Sequence, residues 1–378
     1  MKKFISSFFK LKIKYSDVAM LCSIFFLLVF GLVMLYSVST YDANLTFGEG
    51  DYYLVKQLKA TAMGIVAMMI VSRINYHIYE KCSLVIWIFA CFMVLLVLTP
   101  LGVEANGARR WINLGISIQP AEIAKVAIII MTASLAVRLG RAANTFRGFC
   151  IIFSFVFVLA GIIAKATNNM SSALIVVFIA GVMYYVMVPS QFWFLLGAVG
   201  GFTALIGMRF LALNNLMKGS NFRANRILAW ANPQADSSGY AFQTLQSLYA
   251  IGSGGWFGKG LGESLQKQFI PEAQNDMIFS IICEEIGFFG ACIFIGLFMF
   301  LLVRLFYAAM TTTDSFGALL IVGVFAHIAV QVILNIAVVT NTIPNTGISL
   351  PFVSYGGSSV MFLLIEIGIV RSVCSENW

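Results

Sequence analysis

Charge is what this sequence has least of. Of its 378 residues only 11% are Asp, Glu, Lys or Arg, while 60% are apolar; an average soluble protein carries roughly 25% charged residues. So few charges cannot cover the surface of a water-soluble fold this large, and the mean hydropathy of +0.92 agrees. Soluble enzymes, nucleic-acid-binding proteins and disordered chains are excluded. The seven cysteines form no Cys-x-x-Cys pair and there are two histidines in all, so neither a disulfide framework nor a zinc site is indicated. No Asp-x-Asp pair occurs, which argues against a metal-dependent nucleotide-sugar transferase. The apolar runs are continuous rather than alternating, unlike a membrane β-barrel, and no internal repeat suggests the inverted halves of many transporters.

What is present is a succession of membrane-length apolar segments, each needing about 20 residues to span a bilayer. They fall near 17–37, 56–72, 83–100, 120–138, 149–165, 171–188, 192–212, 276–305, 315–338 and 351–372. The expected fold is therefore an all-α polytopic membrane protein with about ten transmembrane helices. Lys2, Lys3, Lys10, Lys12 and Lys14 precede the first run, which places the N-terminus in the cytoplasm. That run is too long for a signal-peptide core. An even number of spans returns the C-terminus to the same side. Residues 1–16 then form a basic cytoplasmic tail, 17–372 one membrane domain and 373–378 a cytoplasmic end. Short connections on that side hold Arg73, Lys81, Arg138, Arg141, Arg147 and Arg304, in line with the charge bias. The opposite face carries a medium loop, Gly102 to Gln119, and a long one, about 213–275, between helices 7 and 8. A loop of that length is functional or disordered, and this one, with an amphipathic stretch from Gly239 to Ile251, is expected to fold against the outer face.

The unusual residues gather on that outer face. Arg109, Arg110, Arg223 and Arg226 lie where orientation does not require them; they either snorkel to headgroups or offer guanidinium forks to phosphate. Trp111 is either an interfacial belt residue or part of the same cradle. The run Gly252-Ser-Gly-Gly-Trp-Phe-Gly-Lys-Gly260 fails the nucleotide-loop templates. It reads as a flexible re-entrant turn, or as a means of bringing Lys259 to a lipid phosphate. Asp276 opens the eighth helix: either it complements the helix start, or it is a general base whose pKa partial desolvation raises. Glu284 lies eight residues on, about 12 Å deeper and turned by about 80°. Intramembrane acids are functional candidates by default, although Glu284 and Glu285 can equally be pinned by buried hydrogen bonds. Glu122 and Lys125, at i and i+3, share a face and can pair. His327 and Glu366 are lone polar residues in apolar helices, suited to interhelical contacts.

At these segments the chain resembles the SEDS family (shape, elongation, division and sporulation), the group of FtsW, RodA and SpoVE proteins. The resemblance covers essentially the whole chain. It runs through Gly31-Leu-Val-Met-Leu-Tyr-Ser37, Gly107-Ala-Arg-Arg-Trp-Ile-Asn-Leu-Gly115, Gln119-Pro-Ala-Glu-Ile-Ala-Lys125 and Arg223-Ala-Asn-Arg-Ile227. It continues through Phe257-Gly-Lys-Gly-Leu-Gly262, Pro271-Glu-Ala-Gln-Asn-Asp-Met-Ile-Phe279, Glu284-Glu-Ile-Gly287 and Leu350-Pro-Phe-Val-Ser-Tyr-Gly-Gly-Ser-Ser359. Ile343-Pro-Asn-Thr-Gly-Ile348 is similar to the division and sporulation branch. The resemblance implies a peptidoglycan glycosyltransferase that polymerises lipid II outside the bacterial cell membrane, working at the division site with a class B penicillin-binding protein and divisome proteins. It puts the catalytic aspartate on Asp276 and an essential tryptophan loop on Trp111 and Arg110. Arg109, Glu122, Lys125, Arg223, Lys259, Glu284 and Ser354 are expected to line or support the substrate site. Two departures stand out: Gln274-Asn275 where family members often have His-Thr, and Asn168-Asn-Met-Ser-Ser172 where they have Pro-Asp-Leu-Gly-Thr.

The implied reaction has Asp276 take the proton of an acceptor sugar hydroxyl as undecaprenyl pyrophosphate leaves the donor, its charge met by Arg109 or Arg110 and by Lys259. A divalent cation, Mg or Mn, bridging the pyrophosphate is compatible with this chemistry, with no organic cofactor. Three rivals are a lipid II flippase working through Lys125, Glu284 and Glu366, an elongation polymerase of the RodA type, and a scaffold without activity.

Overall fold

The computed structural model describes residues 14–105, 108–113, 117–188, 192–214, 222–236, 239 and 241–376. Its long helices are α1 (Lys14–Phe47), α2 (Tyr52–Val71), the short α3 (His77–Lys81), α4 (Ser83–Leu96), α5 (Pro120–Leu139), α6 (Phe146–Ala166), α7 (Met170–Met187) and α8 (Phe192–Leu213). They are followed by α9 (Phe222–Ala231), α10 (Phe242–Ser253), α11 (Ile278–Thr311), α12 (Ser315–Val339) and α13 (Gly357–Glu376). Eight of these are long and apolar enough to cross a membrane, and Ser83–Leu96 and Val199–Leu213 are shorter apolar helices. The ten apolar runs thus all become helices, eight of full spanning length among the described residues. The last starts at Gly357 instead of 351, because residues 351–356 form a turn.

The all-α expectation needs one amendment. The loop after α4 is a three-stranded antiparallel sheet, β1 (Gly102–Ala105), β2 (Ala108–Asn113) and β3 (Ser117–Ile118), in the order β1-β2-β3. Ile112, fully buried, packs with Met93 and Val97 of α4 and ties the hairpin to the bundle.

Helix starts carry local signals. Pro120 opens α5, where a missing N–H costs nothing. Thr145 and Asp314 cap α6 and α12 by accepting from Gly148 and Gly317 N–H at 3.2 and 2.8 Å. Asn169 does the same for α7, accepting from Ser172 N–H at 3.0 Å. An amide oxygen caps as well as a carboxylate, which explains how this position functions locally without an acid.

α5, α12 and α13 are the most buried of the membrane-length helices among the described residues. The ends of α1, α4, α6, α8 and α12 and the starts of α2, α5, α7, α11 and α13 lie at one end of the bundle, together with α9, α10, the sheet and the 340–356 turn. There the distinctive residues meet.

Candidate functional site at the loop end of the bundle

The turn from Pro271 to Met277 delivers Asp276 one residue before the helix cap. Its backbone carbonyl accepts from Asn335 Nδ2 of α12 at 2.8 Å, and the same amide group donates to Ile348 O at 2.7 Å. One buried side chain thereby fixes two loops. The Asp276 carboxylate Oδ1 accepts from Gln243 Nε2 of α10 at 3.3 Å. Gln243 also donates to Pro271 O at 3.1 Å and accepts from Asn345 Nδ2 at 3.0 Å. Arg226 of α9 donates to Asn345 O at 3.2 Å, so its charge stands beside the group. Ser171 donates to Thr346 O, drawing the start of α7 to the same turn.

The half-buried Asp276 carboxyl is pushed up from its ordinary 3.8 to about 6, chiefly by burial and further by the nearby Glu272 charge; Arg226 and Gln243 offset part of this. Burial disfavours the ionised form. The outcome is a carboxylate mostly charged at neutral pH yet basic enough to accept a proton, the balance general-base catalysis needs.

Other expected site residues fall elsewhere. Arg109 is exposed and lies 3.6 Å from Glu104 across the hairpin, a surface pair of little energetic weight. Arg110 is half-buried on the Ile112 side of the strand, its Nε unpartnered among the described residues, and burial lowers its guanidinium pKa. Trp111, partly exposed, sits opposite Val103. The side chain of Arg223 lies outside the described residues, as does Gly107.

The remaining expected site residues are engaged within the protein. Lys259 does not extend toward a lipid phosphate: its Nζ is 2.6 Å from Glu284 Oε1. Glu284 is not an open subsite either, being fully buried and accepting from Ser253 at 3.1 Å, from Ser264, and from the N–H groups of Leu265 and Gln266 at 3.4 and 3.3 Å. Glu122 and Lys125 form a 2.8 Å ion pair with both residues under 5% exposed. Ser354 is buried, its hydroxyl accepting from Leu350 N–H at 2.8 Å to close the turn before α13.

The Gly-rich run has a structural use that spacing did not reveal. α11 breaks at Gly287, whose φ of 69° and ψ of −172° suit only glycine. The freed backbone groups are taken up by the run itself: Lys259 and Gly260 N–H donate to Glu284 and Glu285 O at 3.0 Å each, and Phe288 and Phe289 N–H donate to Gly255 and Trp256 O at 2.9 and 3.1 Å. A Cβ on Gly258 would lie 2.2 Å from Glu285 O, so the two backbones touch. Irregular backbone at membrane depth survives only when satisfied in this way.

Asp42, Gln243, Asn335 and Asn345 were not singled out by sequence reasoning. Asn335 had a signal, an amide within an apolar helix, and Gln243 lies in the amphipathic stretch already noted. Asp42 and Asn345 had none, because only the fold brings α1 and the 340–356 turn to Asp276.

Fold and site together define a polytopic helical membrane protein with an acid-bearing polar cluster at one end. The family model described as "Cell cycle protein", which groups FtsW, RodA and SpoVE, matches residues 18–377. The chain is 36% identical over 361 residues to the probable peptidoglycan glycosyltransferase FtsW of Trichlorobacter lovleyi, covering 94% of this chain and 92% of that one. It is likewise 36% identical over 351 residues to stage V sporulation protein E of Bacillus subtilis, covering 92% and 93%. Among solved structures, a chain from a peptidoglycan synthase complex shares the fold with TM-score 0.77 at 24% identity, covering 95% and 97%. The rod shape-determining protein RodA of Thermus thermophilus shares it at 0.66 and 23%, covering 95% and 96%. The chain belongs to the FtsW/RodA/SpoVE family.

Proposed function

We propose that this chain is a peptidoglycan glycosyltransferase that polymerises lipid II at the outer face of the cell membrane. The observation that carries the reading is Asp276, a carboxyl raised to about 6 and clamped by α10, α12 and the 340–356 turn. The family membership and the names of the relatives support it. Asp276 takes the proton of the acceptor sugar hydroxyl, whose oxygen attacks the anomeric carbon of the donor. The bond from that carbon to the pyrophosphate breaks, the carbon inverts, and undecaprenyl pyrophosphate leaves with the bonding electrons. Arg226, whose charge stands beside Asp276, is the cation near enough to meet the leaving group's charge, since Lys259 is paired with Glu284. Among the described residues no three or more His, Cys, Asp or Glu side chains are grouped to hold a metal ion. A divalent cation carried on the substrate's pyrophosphate would need only one or two protein carboxylates beside the phosphate oxygens, and no step above runs through one.

The setting follows from the same reading. With the basic N-terminus cytoplasmic, α9, α10 and Asp276 face outward and both termini face inward. The structural match to a chain of a peptidoglycan synthase complex supports a class B penicillin-binding protein as partner, and the resemblance at residues 343–348 supports work at the division site with divisome proteins. A flippase is disfavoured because Lys125, Glu284 and Glu366 are each bound to a protein partner, Glu122, Lys259 and His327, and line no open path.

The test is Asp276→Asn in the full-length protein with its partner, supplied with lipid II. Loss of polymer by roughly 100-fold or more, with an unchanged elution profile and melting curve, is expected. Polymer at the parent rate would remove Asp276 as base; translocation of lipid II without polymer by the parent protein would replace the enzyme with a transporter.

A further inference from the structure

Near Asp276 lies a polar cluster in which tyrosines gather around Asp42. Asp42, near the end of α1, is half-buried, and its Oδ2 accepts from Tyr53 Oη at 3.1 Å and from Gln274 Nε2 at 3.4 Å. Both donors meet the same oxygen, which leaves Oδ1 without a hydrogen bond among the described residues and able to accept one. The Tyr53 and Tyr355 rings meet edge to face, 5.0 Å apart at 80°, forming a corner of two aromatic planes. Tyr52 buttresses Tyr53 at 5.5 Å and 85°. It is itself held from both sides, stacked on Phe47 at 3.8 Å and capped by Lys56 Nζ at 4.1 Å from its centroid. Nothing in the reaction already described uses these groups.

The turn joins this corner to the catalytic group. Tyr355 N–H donates to Gln274 O at 2.9 Å, and Gln274 and Asp276 are two residues apart, so their Cα atoms lie within about 7 Å. A tyrosine that merely anchors a helix at the membrane interface turns its hydroxyl to water; Tyr53 turns its hydroxyl to a carboxylate instead. Two aromatic planes near a right angle beside a carboxylate oxygen without a hydrogen bond suit a ligand with both C–H-rich faces and hydroxyl or amide edges. The axial C–H groups of a pyranose pack on the negative face of an aromatic ring, and its hydroxyls donate to a carboxylate. We infer that Asp42, Tyr53 and Tyr355 form a saccharide-binding subsite that holds an N-acetylated hexosamine ring next to the one reacting at Asp276. Its substrate class rests on the glycosyltransferase reading.

The experiment uses the full-length protein in nanodiscs, with its partner, as parent, Asp42→Asn and Tyr355→Ala. One measurement is binding of a soluble N-acetylglucosamine tetramer by saturation-transfer NMR; the other is kcat and KM for lipid II. Melting curves confirm that each variant is folded, and Asp42→Asn keeps the shape of the side chain should Tyr355→Ala fail to fold. Weaker tetramer binding and a KM raised about tenfold by Asp42→Asn, the scale of one charged hydrogen bond, with kcat within about twofold, are expected. A polymerising parent whose tetramer affinity and KM are unchanged by Asp42→Asn overturns the subsite and leaves the enzyme reading intact. A parent that binds the tetramer in an Asp42-dependent way but makes no polymer overturns the enzyme reading and leaves the saccharide site standing.

Discussion

Asp276 sets the pH behaviour of the molecule at the level of a single group. With its carboxyl raised to about 6 by burial, the fraction ionised climbs as pH rises through that value. kcat/KM for lipid II is expected to rise tenfold per unit below about 6 and to level off above it, measured as initial polymerisation rates from pH 4.5 to 8. A midpoint near the ordinary 3.8 would show that the carboxyl is open to water. The same shift bears on stability. Below the ordinary value the group is protonated both folded and unfolded and has no effect. Between the ordinary value and about 6 the unfolded chain gives up its proton first, so the folded state loses ground as pH rises, fully so above 6. Two units at about 1.4 kcal/mol each limit this penalty to roughly 3 kcal/mol, and partial exposure makes it smaller. Asp276→Asn is therefore expected to melt no lower than the parent at pH 7.5, with any gain disappearing near pH 4. An inactive variant that is as stable as the parent marks a residue kept for chemistry.

The re-entrant run 254–260 and the broken helix α11 act as one element. Their backbones interlock, and the Lys259–Glu284 pair closes the joint with Glu284 fully buried. Beside it Glu285 accepts from Ser37 Oγ at 2.6 and 2.8 Å and lies 3.8 Å from Lys267, which joins α1 to the same joint. Removing one partner of a buried pair leaves an uncompensated charge and costs about 3–5 kcal/mol, whereas removing both costs less. Glu284→Gln and Lys259→Met are each expected to lower the melting temperature. The double variant should melt above the sum of the two losses, with a coupling of at least about 1 kcal/mol. Additive losses would mean that the two groups act separately.

Among the described residues two buried charge pairs lie deep in the bundle, one within a helix and one between two. Lys125 meets Glu122 on α5, and His327 Nδ1 of α12 meets Glu366 of α13 at 3.0 and 2.8 Å, with all four residues under 5% exposed. In a bilayer the lipid is as apolar as the core, so helix association relies on close packing and on such polar contacts. Lys125→Met is expected to destabilise the detergent-solubilised protein by about 3–5 kcal/mol by leaving Glu122 buried and alone. Adding Glu122→Gln should restore most of that, read by thermal unfolding. Equal melting of the single variant and the parent would show the pair to be solvated.

Ten apolar runs and the scarcity of charge determined the fold class from the sequence alone, because a bilayer core demands about 20 apolar residues per helix whatever the packing. Asp276 was legible for a related reason: an acid at the start of an apolar helix is conspicuous. Its working environment was not. The distance from Asp276 to Gln243 or Asn335, and from Asp42 to Tyr53 and Gln274, spans 11 to 232 residues along the chain and only 3.4 Å or less for each bonded pair. The tertiary structure alone decided that Lys259 serves Glu284 rather than a ligand and that a sheet occupies the loop after α4. It did so because a buried acid must take the nearest available cation, and which cation is nearest is a property of the packed fold.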